Sequence, residues 1–353
     1  MKGKGVIVIV DAYSTGRFLP LIFNGYGYEC IHIHSHPNLD QKKMNYMSNM
    51  FIKDIWYDNN LDEVIEQLKP YKIKFVAVGS EYGVLLADLI NSTLQLPFSN
   101  SLSLSPARKD KFKMQEVIKD FGLASIPQFM SKNYEDIIYW INNNSGYPVV
   151  VKPLAAQAAE YVRFCISEKE VKKAFLKITN NKTLCGEENQ AVLVQKRLEG
   201  NEYVVNTVSS DGYHFITDIW TNCKKIIGGQ SVYDYQELIS PCTKEFEWLI
   251  DYTKKVLTAL EIRYGAAHSE IIKTKEEGAV LIETGARLSG GFNPSVTMDA
   301  LQFSQISVLV DMYFGNKTFI NKYSTNFFSS YKLNKKVLIV SLISNKSGII
   351  KKN

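Results

Sequence analysis

The sequence predicts an α/β protein that begins with an open parallel β-sheet and continues into lobes of mixed helices and strands. The run GVIVIV (5–10) is a continuous β-branched stretch, typical of a strand that is buried on both faces. Strands are then predicted at 28–35 and 74–80, alternating with helices at 61–71 and 81–94. This alternation indicates strand–helix–strand units and therefore a parallel sheet.

A binding pocket is expected where the parallel strands end, because ligands of open α/β sheets bind at the carboxyl ends of the strands. The candidates to line it are Asp11, Ser14, Thr15, Gly16, Ser80 and Glu81. The first strand is not followed by the pattern G-x-G-x-x-G, so the sequence gives little support for a dinucleotide site.

A change in amino-acid composition near residue 104 predicts the first domain boundary. There, a polar stretch containing a proline leads into a basic helix. The remainder contains strands around 147–167 and 191–220, a long amphipathic helix at 244–262 and a hairpin at 266–286. We therefore predict three domains, 1–104, 105–196 and 197–353.

Composition narrows the class of protein. The chain has 353 residues, of which 45% are hydrophobic and 22% charged, and its net charge is +5. No basic run or RNA-binding signature is present, so no nucleic-acid partner is expected. The five cysteines form no C-x-x-C pair and no apolar run is long enough to span a membrane. The N-terminal apolar run is too short for a signal peptide and ends at Asp11, so we expect a cytoplasmic protein without a membrane partner.

The hairpin at 266–286 places two carboxylates opposite each other. With KEEG (275–278) as the loop, Glu270 pairs with Glu283, and directly opposed residues have Cβ atoms about 4.5–5.5 Å apart. Such a pair of hard oxygen ligands suits Mg²⁺, which carboxylates and substrate phosphates commonly hold together. His268 lies on the face of Glu270, and Arg287 follows the second strand. The alternative is one or two ordinary ion pairs, for example between Glu283 and Arg287.

Two lysines and one strand are candidate nucleotide contacts. Lys111 begins the basic helix, and Lys152 directly follows VVV at the end of a buried strand. Each is either a solvated charge or a phosphate ligand. In VLVQKRLEGNE (192–202) an apolar strand runs into a polar segment, whose backbone could contact an adenine edge.

Together and in this order, these pieces resemble the ATP-grasp superfamily of carboxylate–amine ligases, over most of the chain. More narrowly, VIVIVDAYSTG, EGNEYVVNTVSSDGYHFITDIW, YGAAHSEII and LIETGARLSGG look like bacterial L-amino-acid ligases, which form dipeptides. The resemblance implies that an ATP-grasp fold follows the N-terminal parallel domain in the sequence. It also implies that ATP activates an amino-acid carboxylate as an acyl phosphate, and that an amine then displaces phosphate to form an amide.

The resemblance assigns the nucleotide contacts. Lys111 and Lys152 match two lysines that contact the ATP phosphates, and Lys152 is also expected to act in catalysis. The hinge that lines adenine matches Gln195, Lys196 and Leu198. The family usually has Glu where Gln195 stands, but a Gln carbonyl can accept the same hydrogen bond. Glu202 matches the acid that binds the ribose hydroxyls.

The metal and substrate contacts are assigned in the same way. Glu270 and Glu283 match the ligands of Mg²⁺, with Mn²⁺ as an alternative ion, and Arg287 matches the arginine that stabilises the acyl phosphate. The residues expected to border the amino-acid pocket are His268, Ser289, Gly290, Gly291 and Asn293.

The sequence departs from the family pattern in three places. Gly285 stands where many relatives have an Asn two positions after the second metal Glu, so a second Mg²⁺ is expected to be held more loosely. The loop LAAQAAE (154–160) has alanines in place of the usual Gly and Ser, which casts doubt on the catalytic rate. The chain also ends, with VSLISNKSGIIKKN (340–353), earlier than relatives generally do.

Three functional hypotheses follow. The first is a ligase that joins two L-amino acids, or an amino acid and another amine. The second is a ligase for a non-standard acid or amine in specialised metabolism. The third is a nucleotide-binding relative with weak or no turnover. Tyr233 and Tyr235 are further candidates for the substrate pocket, and IIGGQ (226–230) for a mobile lid. A homodimer is the expected assembly if the chain is oligomeric.

Overall fold

The structure is a computed structural model that describes residues 4–37, 45–154, 161–183, 188–227, 230–240, 244–291, 293–323 and 331–342. Within these ranges the strands form three sheets, and each sheet uses its own stretch of the chain. The predicted α/β class is confirmed. The domain boundaries near residues 104 and 196 stay predictions.

The first sheet is parallel throughout and has the order β3-β2-β1-β4. Its strands are β1 (Val6–Val10), β2 (Glu29–His34), β3 (Lys53–Trp56) and β4 (Ile73–Val78). The connecting helices are α1 (Leu19–Gly25), α2 (Leu61–Leu68) and α3 (Val84–Thr93). All five residues of β1 are buried, as the β-branched run predicted. Strand β3 was not predicted, because only Ile55 of its four residues is buried and the apolar run is missing.

The second sheet is antiparallel, in the order β5-β8-β6-β7. Its strands are β5 (Gln128–Ser131), β6 (Val149–Pro153), β7 (Arg163–Cys165) and β8 (Val192–Lys196). The helices of this region are α4 (Lys111–Asp120), α5 (Tyr134–Trp140) and α6 (Glu168–Thr179). The side chain of Asp110 caps α4 by accepting hydrogen bonds from two backbone N–H groups, and this fixes where Lys111 begins the helix.

The third sheet has six strands in the order β13-β12-β9-β10-β11-β14. They are β9 (Asn201–Ser210), β10 (Tyr213–Ile227), β11 (Gln230–Leu238), β12 (Gly265–Lys273), β13 (Ala279–Gly285) and β14 (Leu338–Val340). The helices that follow or flank them are α7 (Glu247–Ala259), α8 (Ser295–Leu301), α9 (Gln305–Phe314) and α10 (Asn316–Tyr323).

The sequence interpretation ended β10 too early, at Trp220. The strand continues to Ile227 and pairs with β11, so Ile226 and Ile227 belong to a hairpin arm. Residues 228 and 229 of the suggested lid lie outside the described residues, as do most of the loop 154–160 and residues 343–353.

The N-terminal sheet packs directly against the third sheet and α9. One buried cluster joins Ile7 and Phe75 of the first sheet to Val208 of β9 and Leu309 of α9. The rings of Phe75 and Tyr313 stack with centroids 4.1 Å apart. The turn after β4 lies close to the segment that follows β13, since Glu81 contacts Arg287. No helix in the described ranges is both long enough and apolar enough to cross a membrane.

Candidate active site

A cavity of about 710 Å³ lies where the three sheets meet. Thirteen of the fourteen site residues named from the sequence line it: Lys111, Lys152, Gln195, Lys196, Leu198, Glu202, His268, Glu270, Glu283, Arg287, Ser289, Gly290 and Gly291. Asn293 lies outside the lining; its exposed side chain accepts a hydrogen bond from the backbone N–H of Ser295. The residues named from the sequence therefore lie around one cavity, and their individual roles stay predictions.

The facing carboxylates are placed as predicted, since Glu270 and Glu283 are direct register partners on β12 and β13. Each is paired with a different lysine. Lys224 Nζ lies 3.3 Å from Glu270 Oε2, and Lys111 Nζ lies 3.0 Å from Glu283 Oε2. The suggested pairing of Glu283 with Arg287 is not found. These cations explain how two opposed carboxylates coexist in a largely buried site.

The surroundings of these groups shift each pKa toward the charged form of the side chain. Burial would raise the pKa of Glu270, but Lys224 and His268 outweigh it and hold that pKa well below its usual range. Burial acts likewise on Glu283, and Lys111 outweighs it, so its pKa is also lowered. Burial would lower the pKa of Lys111, but Glu283 raises it. Both carboxylates are therefore anionic and available to a cation.

Lys224 is the principal residue that the sequence analysis missed. Its Nζ lies 2.5 Å from Glu202 Oε1 as well as 3.3 Å from Glu270 Oε2. Burial raises the pKa of Glu202 to about 7 and the neighbouring Glu270 acts in the same sense, while Lys224 opposes both. The sequence pattern that could have revealed Lys224 is the alternation of side chains along β10. Trp220, Lys224 and Ile226 are two or four positions apart, lie on one face of the strand and all line the cavity. Ending the strand at Trp220 hid it.

Lys152 is held differently from Lys111. It is 5% exposed, at the end of β6. Burial and the neighbouring Lys111 lower its pKa to about 8, against the opposing effect of Glu283 and Glu270. A buried lysine near other cations is a receptor for an anion, because an anion lowers the free energy of its charged form.

Where the second sheet lines the cavity, the side-chain amide of Gln195 on β8 has a fixed orientation. Its Nε2 donates to Gln128 Oε1 across β5 and β8, at 3.0 Å. Gln128 Nε2 in turn donates to the backbone oxygen of Phe112 and to Glu116 Oε1, at 2.9 and 3.0 Å. Both of these groups only accept, so neither amide can be flipped without losing hydrogen bonds. Gln195 Oε1 is left as an acceptor for a ligand.

The N-terminal sheet supplies one corner of the cavity. Of the six residues expected at its strand ends, Ser14, Ser80 and Glu81 line the cavity, together with Gly79. Arg287 Nε donates to Glu81 Oε2 at 2.9 Å, across 206 positions of sequence. Asp11 instead points away and accepts hydrogen bonds from the backbone and side chain of Ser35. Of the two suggested tyrosines, Tyr233 lines the cavity, with its hydroxyl 3.4 Å from Glu270 Oε1, whereas Tyr235 does not.

A second polar cluster lies on β2 and β3, where His32, His34 and Asp54 come together. The backbone N–H of Ala12 donates to His32 Nε2 at 2.9 Å, so His32 carries its proton on Nδ1, which faces Asp54 Oδ1 at 3.1 Å. A metal at Nδ1 would have to displace that proton and break the contact with Ala12. The cluster is therefore a satisfied hydrogen-bond network within the sheet.

Comparison with known proteins identifies a family for this chain. The family model of the ATP-grasp domain matches residues 145–295. Dapdiamide A synthase from Enterobacter agglomerans is 36% identical over 320 residues, which cover 88% of this chain and 73% of that protein.

Two solved structures match the fold. L-amino acid ligase from Bacillus licheniformis superposes with a TM-score of 0.69 at 17% identity, covering 89% of this chain and 75% of that chain. Biotin carboxylase from Campylobacter jejuni, as a β,γ-ATP complex, superposes with a TM-score of 0.68 at 16% identity, covering 95% of this chain and 75% of that chain. The predicted ATP-grasp architecture is thereby confirmed.

Proposed function

The chain belongs to the ATP-grasp family of carboxylate–amine ligases, and we propose that it activates an L-amino acid as an acyl phosphate and joins it to the amino group of a second amino acid. The γ-phosphoryl group of ATP moves to the carboxylate oxygen, and ADP leaves. The amine nitrogen then forms the bond to the carbonyl carbon, the bond to the phosphate oxygen breaks, and the amine releases a proton. The products are an amide, ADP and phosphate.

The observation that carries this proposal is the arrangement of charge in the cavity. Glu270 and Glu283 face each other, and three lysines line the same cavity: Lys111, Lys152 and Lys224. Transfer of a phosphoryl group needs positioning and charge neutralisation more than covalent help from the protein. A cluster of alternating charge in one shielded cavity is suited to that task.

The donor set fits Mg²⁺. Carboxylate oxygens of Glu270 and Glu283 share one face of the hairpin, and both groups are held anionic. Bound there, Mg²⁺ would neutralise charge on the phosphates of ATP, and Mn²⁺ has the same ligand preference. Lys111 and Lys224, which neutralise these carboxylates in the structure, would then become available to the phosphates.

The other residues have separate roles in this proposal. Gln195 Oε1, fixed by Gln128, accepts from the adenine amino group, while Lys196 and Leu198 continue the same wall. Lys152 binds the transferring phosphate, and Glu202 binds the ribose hydroxyls. Arg287 stabilises the negative charge of the acyl phosphate. His268 and the segment 289–291 border the amino acid.

The experiment that tests the proposal measures ADP and phosphate release from Mg·ATP across pairs of the standard amino acids, with the product identified by mass. We expect release only with particular pairs, and at least a hundredfold loss in Glu283→Gln, since the removed charge acts on the reaction itself. Glu66→Gln is a matched control, because Glu66 is an exposed glutamate whose partner is the exposed Lys69. No release with any pair, while ATP still binds, would contradict the proposal and favour a specialised acid or a chain without turnover. The homodimer stays a prediction for the same preparation.

A further inference from the structure

Asp218 is a buried carboxylate on β10 to which the proposed reaction gives no role. It is 1% exposed and lies behind the side chains that line the cavity. Trp220 Nε1 and Asn206 Nδ2 both donate to its Oδ1 at 2.5 Å, and Thr217 Oγ1 donates to its Oδ2 at 2.8 Å. In the described ranges it forms no ion pair with a lysine or an arginine. A buried carboxylate without such a partner is costly, so we looked for a group that it positions.

A β-bulge in β10 brings Asp218 to its place. The register with β9 shifts between Ile216 and Asp218, so that Asp218, and not Thr217, lies opposite Asn206. Asn206 is also the direct partner of His268 on β12. Directly opposed residues of a sheet have their side chains close together on one face. The three residues therefore form one row across β10, β9 and β12, and the row reaches the cavity at His268.

This row fixes the orientation of the Asn206 amide. An indole N–H can only donate, so Trp220 keeps Asp218 Oδ1 as an acceptor at the position that Asn206 contacts. Asn206 Nδ2 must donate to this oxygen, and Asn206 Oδ1 then faces His268 Nδ1 at 2.8 Å. Burial raises the pKa of Asp218 against the effect of its hydrogen bonds. The orientation is nevertheless the same for both protonation states, because Trp220 requires an acceptor in each.

His268 consequently carries a proton on Nδ1. The oxygen of Asn206 only accepts hydrogen bonds, so the ring nitrogen that faces it must donate. In the neutral ring, Nε2 then presents a lone pair toward the cavity, which His268 lines. Nε2 lies 3.7 Å from Glu270 Oε1, which is too far for a hydrogen bond.

The reactants of the proposed ligation differ in what they can offer to this lone pair. At the reacting centre, the phosphates of ATP, the carboxylate and the acyl phosphate present oxygens that accept hydrogen bonds. The attacking amine instead carries N–H groups. One of these can donate to Nε2 while the lone pair of the amine nitrogen is directed at the carbonyl carbon. An acceptor in a fixed position therefore orients the nucleophile.

We propose that Asp218 and Asn206 are positioning residues, which hold His268 so that Nε2 accepts a hydrogen bond from the attacking amine. This rests on the proposed ligase function, and it concerns amide formation and not the activation of the acid. Trp220 belongs to the same arrangement, because it determines which atom of residue 218 is the acceptor.

The first measurement determines the tautomer of His268. Nitrogen-15 NMR of histidine-labelled protein at alkaline pH distinguishes a proton on Nδ1 from one on Nε2. The signal that is missing in His268→Gln identifies His268 among the five histidines. We expect the proton on Nδ1. Asp218→Asn should keep it there, because an amide oxygen can accept from both Trp220 and Asn206.

Asp218→Leu is the matched variant, because it removes the same charge at similar volume but offers no acceptor. Without that acceptor the Asn206 amide can turn over, and the proton of His268 should move to Nε2 in a large share of the molecules. Should Asp218→Leu fail to fold, Asn206→Leu tests the same prediction, because it removes the acceptor for Nδ1 itself.

The second measurement separates the two steps of the reaction. Rapid quenching with the acid and Mg·ATP alone gives the burst of ADP from activation, and addition of the second amino acid gives the rate of amide formation. Asp218→Leu is expected to lower the rate of amide formation about tenfold, the order of one hydrogen bond, with a much smaller effect on the burst. Asp218→Asn should recover most of the lost rate. Glu66→Gln, on the exposed surface, should behave as wild type.

Other outcomes would overturn the inference. A proton on Nε2 in the wild-type chain, or equal losses in Asp218→Asn and Asp218→Leu, would show that the row does not act through the orientation of Asn206. Equal losses in both steps, with a higher Mg²⁺ requirement, would make His268 a support of the metal site. Wild-type inactivity with every pair of amino acids would remove the ligase and the role of Nε2 together, and the tautomer measurement would still decide whether the row positions His268.

Discussion

Lys224 Nζ lies 3.3 Å from Glu270 Oε2, although β10 and β12, which carry the two residues, are separated by β9. The lysine reaches across the intervening strand and also contacts Glu202 on it. Burial would lower the pKa of Lys224, but the two carboxylates outweigh it and raise that pKa. A protein cation therefore occupies the position next to a proposed metal ligand.

Replacing this cation is expected to destabilise the unliganded protein. Lys224→Met leaves two buried carboxylates without their shared partner, and we expect a loss of about 3 kcal/mol in the free energy of unfolding. Mg²⁺ should recover part of this loss, because it offers the same carboxylates a new partner. Chemical denaturation with and without Mg²⁺ measures both effects.

The neighbouring lysine provides the control for this prediction. Lys225 lies on the opposite face of β10, pairs with Asp234, and its side chain is 60% exposed. Lys225→Met should change stability by less than about 0.5 kcal/mol, with or without Mg²⁺. Equal effects of the two substitutions would show that Lys224 contributes no more to stability than an exposed lysine.

Glu270 was predicted to face Glu283, whereas the contact of Lys224 was not predicted, and the reason is the kind of structural information on which each depends. Opposition of Glu270 and Glu283 follows from a hairpin with a short loop, because register is local. The contact of Lys224 depends on the order of strands in a sheet, and that of Arg287 with Glu81 on how two sheets pack across 206 positions. Periodicity can place Lys224 on one face of β10, but it carries no information on the partners in either contact. The family resemblance supplied the remaining cavity residues, and it could not anticipate that Glu81 is the partner of Arg287.

The lowered pKa of Lys152 leads us to expect that nucleotide binding depends on pH. Its pKa is lowered to about 8, chiefly by burial, so in the unliganded protein it loses its positive charge as the pH rises through that value. ATP binds the charged form more tightly, and its Kd should therefore rise above about pH 8, by up to about tenfold per pH unit. Calorimetric titration with ATP between about pH 7 and about pH 9.5 measures this change.

Lys152→Met should bind ATP weakly at every pH in this range and lose the inflection near pH 8. Lys196→Met is the control, because Lys196 also lines the cavity but is exposed. It should retain the inflection. If Lys152→Met keeps the wild-type pH profile, another group is responsible for it.

Gln128 is expected to act on base selectivity without contacting the nucleotide. It lies outside the cavity lining and accepts a hydrogen bond from the Gln195 amide nitrogen, which under the proposed function keeps the Gln195 oxygen directed at the adenine. In Gln128→Leu the amide can turn over and donate its Nε2 to the guanine carbonyl. We expect the ratio of kcat/KM for ATP over GTP to fall about three- to tenfold, within the range of one hydrogen bond.

A double variant tests whether the loss of selectivity comes from the orientation of the Gln195 amide. Glu at position 195 can only accept, so the double variant Gln128→Leu/Gln195→Glu should recover the preference for ATP. A double variant that remains as unselective as Gln128→Leu would indicate that Gln128 supports the wall of the cavity by packing, and not through the orientation of the amide.

Arg108 is expected to be the most sensitive charged residue outside the cavity. Its side chain is fully buried and donates to Asp88 Oδ2 and to the backbone oxygen of Leu260, each at 2.9 Å. It thereby links α3, the connection to α4 and the end of α7. Arg108→Met leaves Asp88 buried without its cation, and we expect a loss of about 3–5 kcal/mol in the free energy of unfolding, measured by urea denaturation.

Lys69→Met removes one partner of an exposed pair with Glu66 and should cost less than about 0.5 kcal/mol. The variant Arg108→Met/Asp88→Leu removes both charges and should be more stable than Arg108→Met alone, because the penalty comes from the charge left without a partner. A double variant as unstable as the single one would assign the loss to packing and to the hydrogen bond with Leu260.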